Sequence, residues 1–99
     1  MAKGGFVYIM TNKYHTTLYV GMTSDLVSRA IQHRDKLYPK SFTARYNVNK
    51  LVYYSPFDMI ASAIEEEKRI KGGSRKKKIE LIESINPDWK DLYDDIKDW

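Results

Sequence analysis

Two short apolar runs open the chain, Phe6-Val7-Tyr8-Ile9-Met10 and Thr17-Leu18-Tyr19-Val20. Both are rich in β-branched and aromatic side chains, and the polar Asn12-Lys13-Tyr14-His15 lies between them, so the pair predicts a β-hairpin. A turn centred between Lys13 and Tyr14 would set Tyr8 directly across from Tyr19, with both rings on one face of the sheet. Such a pair packs whether or not it does chemistry. Gly21 is expected to close the second strand.

From there the apolar spacing turns helical. Ser24 or Asp25 caps a helix that runs to about Lys36 and carries Leu26, Ala30 and Ile31 inward, with Arg29 and His33 one turn apart on a shared face. Tyr38-Pro39-Lys40-Ser41 begins a loop, and a third strand over 49–55 is stopped by Pro56. A second helix is expected from about Asp58 to Lys71, ended by Gly72-Gly73. Ser74 caps a third helix with Ile79, Ile82 and Ile85 inward, and Asn86-Pro87 ends it. Trp89, Leu92, Tyr93 and Ile96 share one face of a closing short helix laid over the core. The expectation is one α+β domain over residues 1–99, a three-stranded antiparallel sheet flanked by helices in the order β-β-α-β-α-α.

One position breaks the apolar stripe of the second helix. Ile60, Ala63, Ile64 and Ile70 define it, and Glu67 lies on it, three residues from both Ile64 and Ile70. A carboxylate on a buried face costs several kcal/mol, on the order of 2–7, unless it is paired or bound to a cation. Two partners fit: an arginine, with Arg29 the obvious choice, or a hard cation carrying water ligands. Glu65 and Glu66 point elsewhere and read as solvated charges.

Composition narrows the chemistry. The chain has 99 residues, 42% of them hydrophobic, and no cysteine, so neither disulfides nor a thiolate cage can staple it. With two histidines, zinc would need a carboxylate-rich site. Met1-Ala2-Lys3-Gly4-Gly5 runs into strand-like sequence instead of an apolar leader, and no apolar run approaches the roughly 20 residues of a bilayer span, so a soluble, cytoplasmic protein with no membrane partner is expected. The pattern sets no oligomeric state.

The net charge of +4 hides an asymmetry. Residues 1–80 carry 15 Lys and Arg against 7 Asp and Glu, whereas residues 81–99 carry 2 against 6. The basic body suits phosphate neutralisation, through Arg34, Lys40, Arg45 and Lys50 around the 40–50 loop and through Lys68, Lys71, Arg75, Lys76, Lys77 and Lys78 farther on. The last four crowd a helix N-terminus, whose positive end disfavours cations until an anion binds.

Taken together, Phe6-Val7-Tyr8, Tyr19-Val20-Gly21, Arg29 eight residues beyond, Phe42-Thr43-Ala44-Arg45-Tyr46-Asn47, Leu51-Val52-Tyr53-Tyr54 and Ala63 to Lys71 resemble the GIY-YIG nuclease superfamily, in particular its small single-domain bacterial members. The likeness covers residues 6 to about 93. It implies a site of Tyr8, Tyr19, Arg29 and a metal-binding Glu67, with His33 matching a histidine common in the small members. Phe6 replaces the first glycine of the name motif. Larger family nucleases carry an active-site asparagine after the glutamate; Asn86 is farther along than that pattern and is left out of the catalytic set.

What the resemblance implies is a DNA endonuclease of low sequence specificity in repair or processing, using one Mg²⁺ or Mn²⁺ ion, with RNA an open alternative substrate. Either tyrosine could orient or deprotonate the water, while Arg29 balances charge on the phosphate. An ordinary phenol titrates near ~10, so the base needs cationic neighbours. Two other readings stand beside it: a nucleic-acid-binding module on the same fold with little or no turnover, and a protein-interaction domain whose basic charge is incidental.

Overall fold

A computed structural model describes residues 4–99; Met1, Ala2 and Lys3, part of the segment read as leaderless, lie outside the described residues. Strands β1 (Gly5–Thr11), β2 (Leu18–Thr23) and β3 (Lys50–Phe57) form an antiparallel sheet in the order β2-β1-β3. Helices α1 (Leu26–Arg34) and α2 (Phe42–Arg45) lie between β2 and β3 in sequence, and α3 (Ile60–Lys71), α4 (Arg75–Ile85) and α5 (Tyr93–Ile96) follow. The α+β class and the expected order hold, with the single turn α2 added inside the 40–50 loop. Among the described residues no helix is long and apolar enough to cross a membrane.

Because β1 is central, both its faces are covered. Val7 and Ile9 point to one side and join Val20, Ala63 and Ile70 of α3 and Ile82 of α4. Tyr8 and Met10 point to the other and join Leu26 and Ala30 of α1, Leu51, and Ile96 of α5. All four β1 side chains are fully buried. A phenol therefore occupies a core position of the central strand, where its hydroxyl needs a hydrogen-bond partner.

The hairpin differs from the expected register. Asn12 Oδ1 accepts hydrogen bonds from the backbone N–H groups of Thr16 (2.8 Å) and Thr17 (3.1 Å), and His15 adopts φ 58°. This makes a wider loop than a tight turn. Tyr8 consequently pairs with Gly21, and Tyr19 with Met10. Side-chain direction has period two, so the two-residue slip leaves Tyr8 and Tyr19 on the same face, as expected.

Gly21 does not close β2 but lies within it, and Pro56 does not stop β3, where it pairs with Phe6. Since β3 bonds only to β1, it is an edge strand, the place in a sheet where proline is tolerated. Helix α1 ends at Arg34, short of Lys36. Ile31, Ile60 and Ile85, expected inward, are exposed, because each sits at the margin of an apolar stripe that only its central residues bury. Trp89 and Ile96 do not share a face: Trp89, at φ 54°, joins the α3–α4 side, and Ile96 the α1 side. The segment between them crosses the end of β3, with Leu92 N–H donating to Leu51 O at 2.7 Å. Asn86 pins this crossing, its amide donating to Val52 O and Lys90 O and its carbonyl accepting from Lys90 N–H.

Candidate active site

The centre of the site is the Tyr8 hydroxyl. It lies 3.1 Å from Nε2 of His33, whose Nδ1 lies 2.8 Å from Oγ1 of buried Thr43. Asp25 is responsible for this placement: its side chain caps α1 by accepting from Ser28 N–H, which fixes the start of the helix and so the phase of Arg29 and His33. The rings gather closely, with centroid separations of 6.3 Å for Tyr8 and Tyr19, 5.8 Å for Tyr8 and His33, and 5.6 Å for Tyr19 and His33. Beside them opens a cleft of about 400 Å³ lined by Tyr19, Arg29, His33 and the segment from Tyr38 to Thr43.

Burial pushes the Tyr8 hydroxyl well above the usual phenol range, and the nearby Tyr19 and Glu67 push it the same way. Arg29, by charge and by hydrogen bonding, pulls it back down. The cationic neighbour expected from the sequence is therefore present, but desolvation outweighs it. His33 is lowered to about 4, by burial first and by the Arg29 charge second. A neutral imidazole has one donor and one acceptor nitrogen. One ring nitrogen of His33 therefore donates and the other accepts, in a chain that runs from the Tyr8 hydroxyl through the imidazole to the Thr43 hydroxyl and on to Ser41 Oγ at 3.2 Å.

His33 carries two expected outcomes. Its ordinary value of 6.5 falls to about 4 on folding, so between those values the unfolded chain binds the extra proton. The stability it contributes is complete above pH 6.5 and is lost as pH falls toward 4, which a melting series over that window should register. Thr43→Val removes the Nδ1 partner. The protein should lose roughly 1–2 kcal/mol, and nitrogen NMR should show the tautomer balance of the His33 ring changing; an unchanged balance would contradict a chain that runs from Tyr8 through His33 to Thr43.

Glu67 stands on α3, which packs against the sheet face opposite Tyr8, and its charge is nonetheless felt at the Tyr8 hydroxyl. Its side chain is 21% exposed and meets Lys71 Nζ at 3.5 Å. The arginine partner expected from sequence is thus replaced by a lysine one turn along the same helix. Glu66, expected to be merely solvated, is held by Arg69 through two bonds of 2.7 and 2.6 Å, which lower its carboxyl below the ordinary range.

The expected basic face divides. Lys40 and Arg45 are exposed in the segment beside the cleft, while Arg34 lies over the Tyr93 ring at 4.3 Å. Lys68, Lys77 and Lys78 line a separate depression of about 400 Å³ at the Gly72-Gly73 turn. Lys76 is exposed on the same helix as Lys77. Lys50 and Arg75 are turned to the hairpin loop, binding Nε2 and the carbonyl of His15 respectively.

Two functional positions do not stand out in the sequence. A methyl group on Gly21 would overlap Oη and Cζ of Tyr8, so the ring lies directly against this backbone. The glycine is required by space, since its φ is not positive. Thr43 falls inside a motif block with no role of its own; a hydroxyl within a basic, aromatic loop was the available signal.

A family model described as the GIY-YIG catalytic domain matches residues 4–80. The chain belongs to the GIY-YIG family. It is 36% identical over 77 residues to the UPF0213 protein SSP2268 of Staphylococcus saprophyticus, covering 78% of this chain and 92% of that one. It is 31% identical over 83 residues to a UPF0213 protein of Syntrophus aciditrophicus, covering 84% and 93%. Its fold matches the solution NMR structure of the UPF0213 protein BH0048 from Bacillus halodurans, with TM-score 0.57, 25% identity, and coverage of 90% and 93%. Membership of the GIY-YIG family points to nuclease activity on nucleic acid, with a divalent metal as the family's usual cofactor.

Proposed function

We propose that this GIY-YIG chain is a Mg²⁺- or Mn²⁺-dependent DNA endonuclease of low sequence specificity, acting in DNA repair or processing, with Tyr8, Tyr19, Arg29, His33 and Glu67 as its site. The observation that carries the reading is a fully buried phenol whose hydroxyl lies 3.1 Å from His33 Nε2, against the cleft that Tyr19, Arg29 and His33 line. A core built for packing alone would not set a phenol hydroxyl against an imidazole beside an arginine-lined cleft.

The donor set fits one hydrated hard cation. Among the described residues no three of His, Cys, Asp and Glu come together, which disfavours a zinc cage. A single part-buried carboxylate suits an ion that completes its shell with water and phosphate oxygens. Glu67 would hold such an ion, which would supply charge neutralisation at the phosphate.

The remaining work falls to the side chains. Arg29 sits at the cleft and balances charge added to the phosphate, in a setting where desolvation strengthens the contact. Tyr19, in the cleft wall, orients the attacking water by hydrogen bond. Tyr8 keeps its proton on Oη, since a phenol raised by burial cannot pass it to an imidazole lowered to about 4, and its hydrogen bond with His33 Nε2 fixes the hydroxyl in place. Low specificity follows if binding rests on phosphate contacts, which carry no sequence information.

Cleavage of a labelled oligonucleotide that needs Mg²⁺ and stops on chelation tests the activity. The basic face is tested by Lys76→Ala with Lys77→Ala, since Lys78 also donates to Gly73 O at 2.7 Å and its loss would disturb the turn. The double variant should bind DNA more weakly whatever the sequence, and the slope of log affinity against log salt should fall by roughly 1–2. An unchanged slope would move the interface elsewhere.

A further inference from the structure

Large apolar side chains are unusually exposed along one stretch, Leu37 to Tyr46. Tyr38 is 61% exposed, Phe42 48% and Tyr46 49%. They have a structural reason to be there. Ser41 caps α2, accepting from Ala44 N–H, and the single turn that follows buries Thr43 and Ala44, so Phe42 and Tyr46 must face outward. One helical turn apart, these two rings lie 4.7 Å centroid to centroid. Phe42 in turn lies 6.2 Å from Tyr19, so an aromatic path runs from the site to the surface. Tyr38 and Phe42 also line the cleft that holds Arg29 and His33.

The surrounding charge selects the partner. Lys40 and Arg45 are exposed in the same segment, Arg45 lying 6.0 Å from the Tyr46 ring centroid, whereas Arg34 lies over Tyr93 and Lys50 turns to His15. Exposed rings within a cationic frame match the chemistry of single strands, whose unstacked bases offer π faces and whose backbone offers phosphates. A duplex hides those faces. A protein surface would favour the rings but gain nothing from the cations unless it were acidic.

Resting on the nuclease reading above, we propose that Tyr38, Phe42 and Tyr46 form a stacking platform for unpaired bases flanking the phosphate at the cleft, making single-stranded DNA the substrate class. Stacking on the outward ring faces would hold the strand beside Arg29. Each ring that stacks a base should strengthen binding by roughly 5- to 150-fold.

The test separates binding from cleavage. Fluorescein-labelled oligothymidine, an abasic strand of equal length and charge, and a duplex are titrated into the protein in EDTA by anisotropy, and each is then assayed for cleavage in Mg²⁺. The platform predicts at least about fivefold tighter binding of oligothymidine than of the abasic strand. Tyr38→Ala with Phe42→Ala should remove that preference, bringing the ratio of oligothymidine to abasic affinity to about one. Phe42→Leu, which keeps apolar volume but no π face, should lose part of it.

Equal affinity for normal and abasic strands, or a preference surviving the double variant, overturns the platform even if cleavage is robust. Loss of self-association in sedimentation on the same substitutions, with DNA binding unmoved, also overturns it and assigns the rings to a second copy of the chain. A base preference that the double variant abolishes, in a protein that cleaves nothing, sustains the platform and sinks the nuclease reading instead.

Discussion

Gly21→Ala is expected to destabilise the protein by about 1–3 kcal/mol, the usual range for overpacking a well-filled core, and to lower cleavage by at least about 100-fold. The added methyl would overlap Oη and Cζ of Tyr8, and the ring has no room to retreat, being fully buried among Met10, Leu26, Ala30, Val48, Leu51 and Ile96. Relief must come from displacing the hydroxyl, which separates it from His33 and Arg29. Chemical denaturation and cleavage rate are the readouts, and NMR of the His33 ring reports the displacement independently. An isostable variant with normal activity and an unmoved His33 would show that Tyr8 does not depend on this contact.

Arg29→Ala should lower cleavage by about 100- to 1000-fold, the magnitude typical of removing one group that stabilises transition-state charge. The same substitution has signed effects on its neighbours. Arg29 depresses His33, so its loss should raise the imidazole above its value of about 4. Arg29 also draws the Tyr8 hydroxyl down, so its loss should drive that phenol still higher. Proton NMR of His33 across pH 3–7 measures the first shift directly; a fall in its pKa, or none, would contradict the proximity on which the site is built.

Much of this was legible in the residues themselves, for reasons that differ by element. Capping side chains write helix starts into the sequence, and Asp25 and Ser74 act where their chemistry says they should. The face shared by Tyr8 and Tyr19 was also legible, because parity survives a two-residue slip, whereas the register did not, because Asn12 and the left-handed His15 close a wider loop. Glu67 stood out by breaking an apolar stripe. Its partner could not be read, since an i,i+4 lysine and a distant arginine both satisfy the same pattern. Thr43 and Gly21 stayed hidden because their roles arise from tertiary contacts, a hydroxyl meeting a ring nitrogen from another helix and a phenol laid on backbone. Pro56 misled for a related reason: whether a missing N–H matters depends on the strand being an edge, which only the sheet order decides.

The most direct test of the metal-dependent mechanism is Glu67→Gln, followed by thermal unfolding and cleavage with and without Mg²⁺. The Glu67–Lys71 pair joins a half-exposed lysine to a part-buried carboxylate at 3.5 Å and is worth about 1 kcal/mol or less, which removal of the uncompensated part-buried charge offsets, so the metal-free variant should melt near the parent temperature. Mg²⁺ should raise the melting temperature of the parent alone, because only the carboxylate binds the ion. Cleavage should be abolished in the variant. A large loss of melting temperature in Glu67→Gln, with Mg²⁺-dependent cleavage intact in whatever remains folded, would contradict the assignment of Glu67 as the metal ligand and the mechanism built on it.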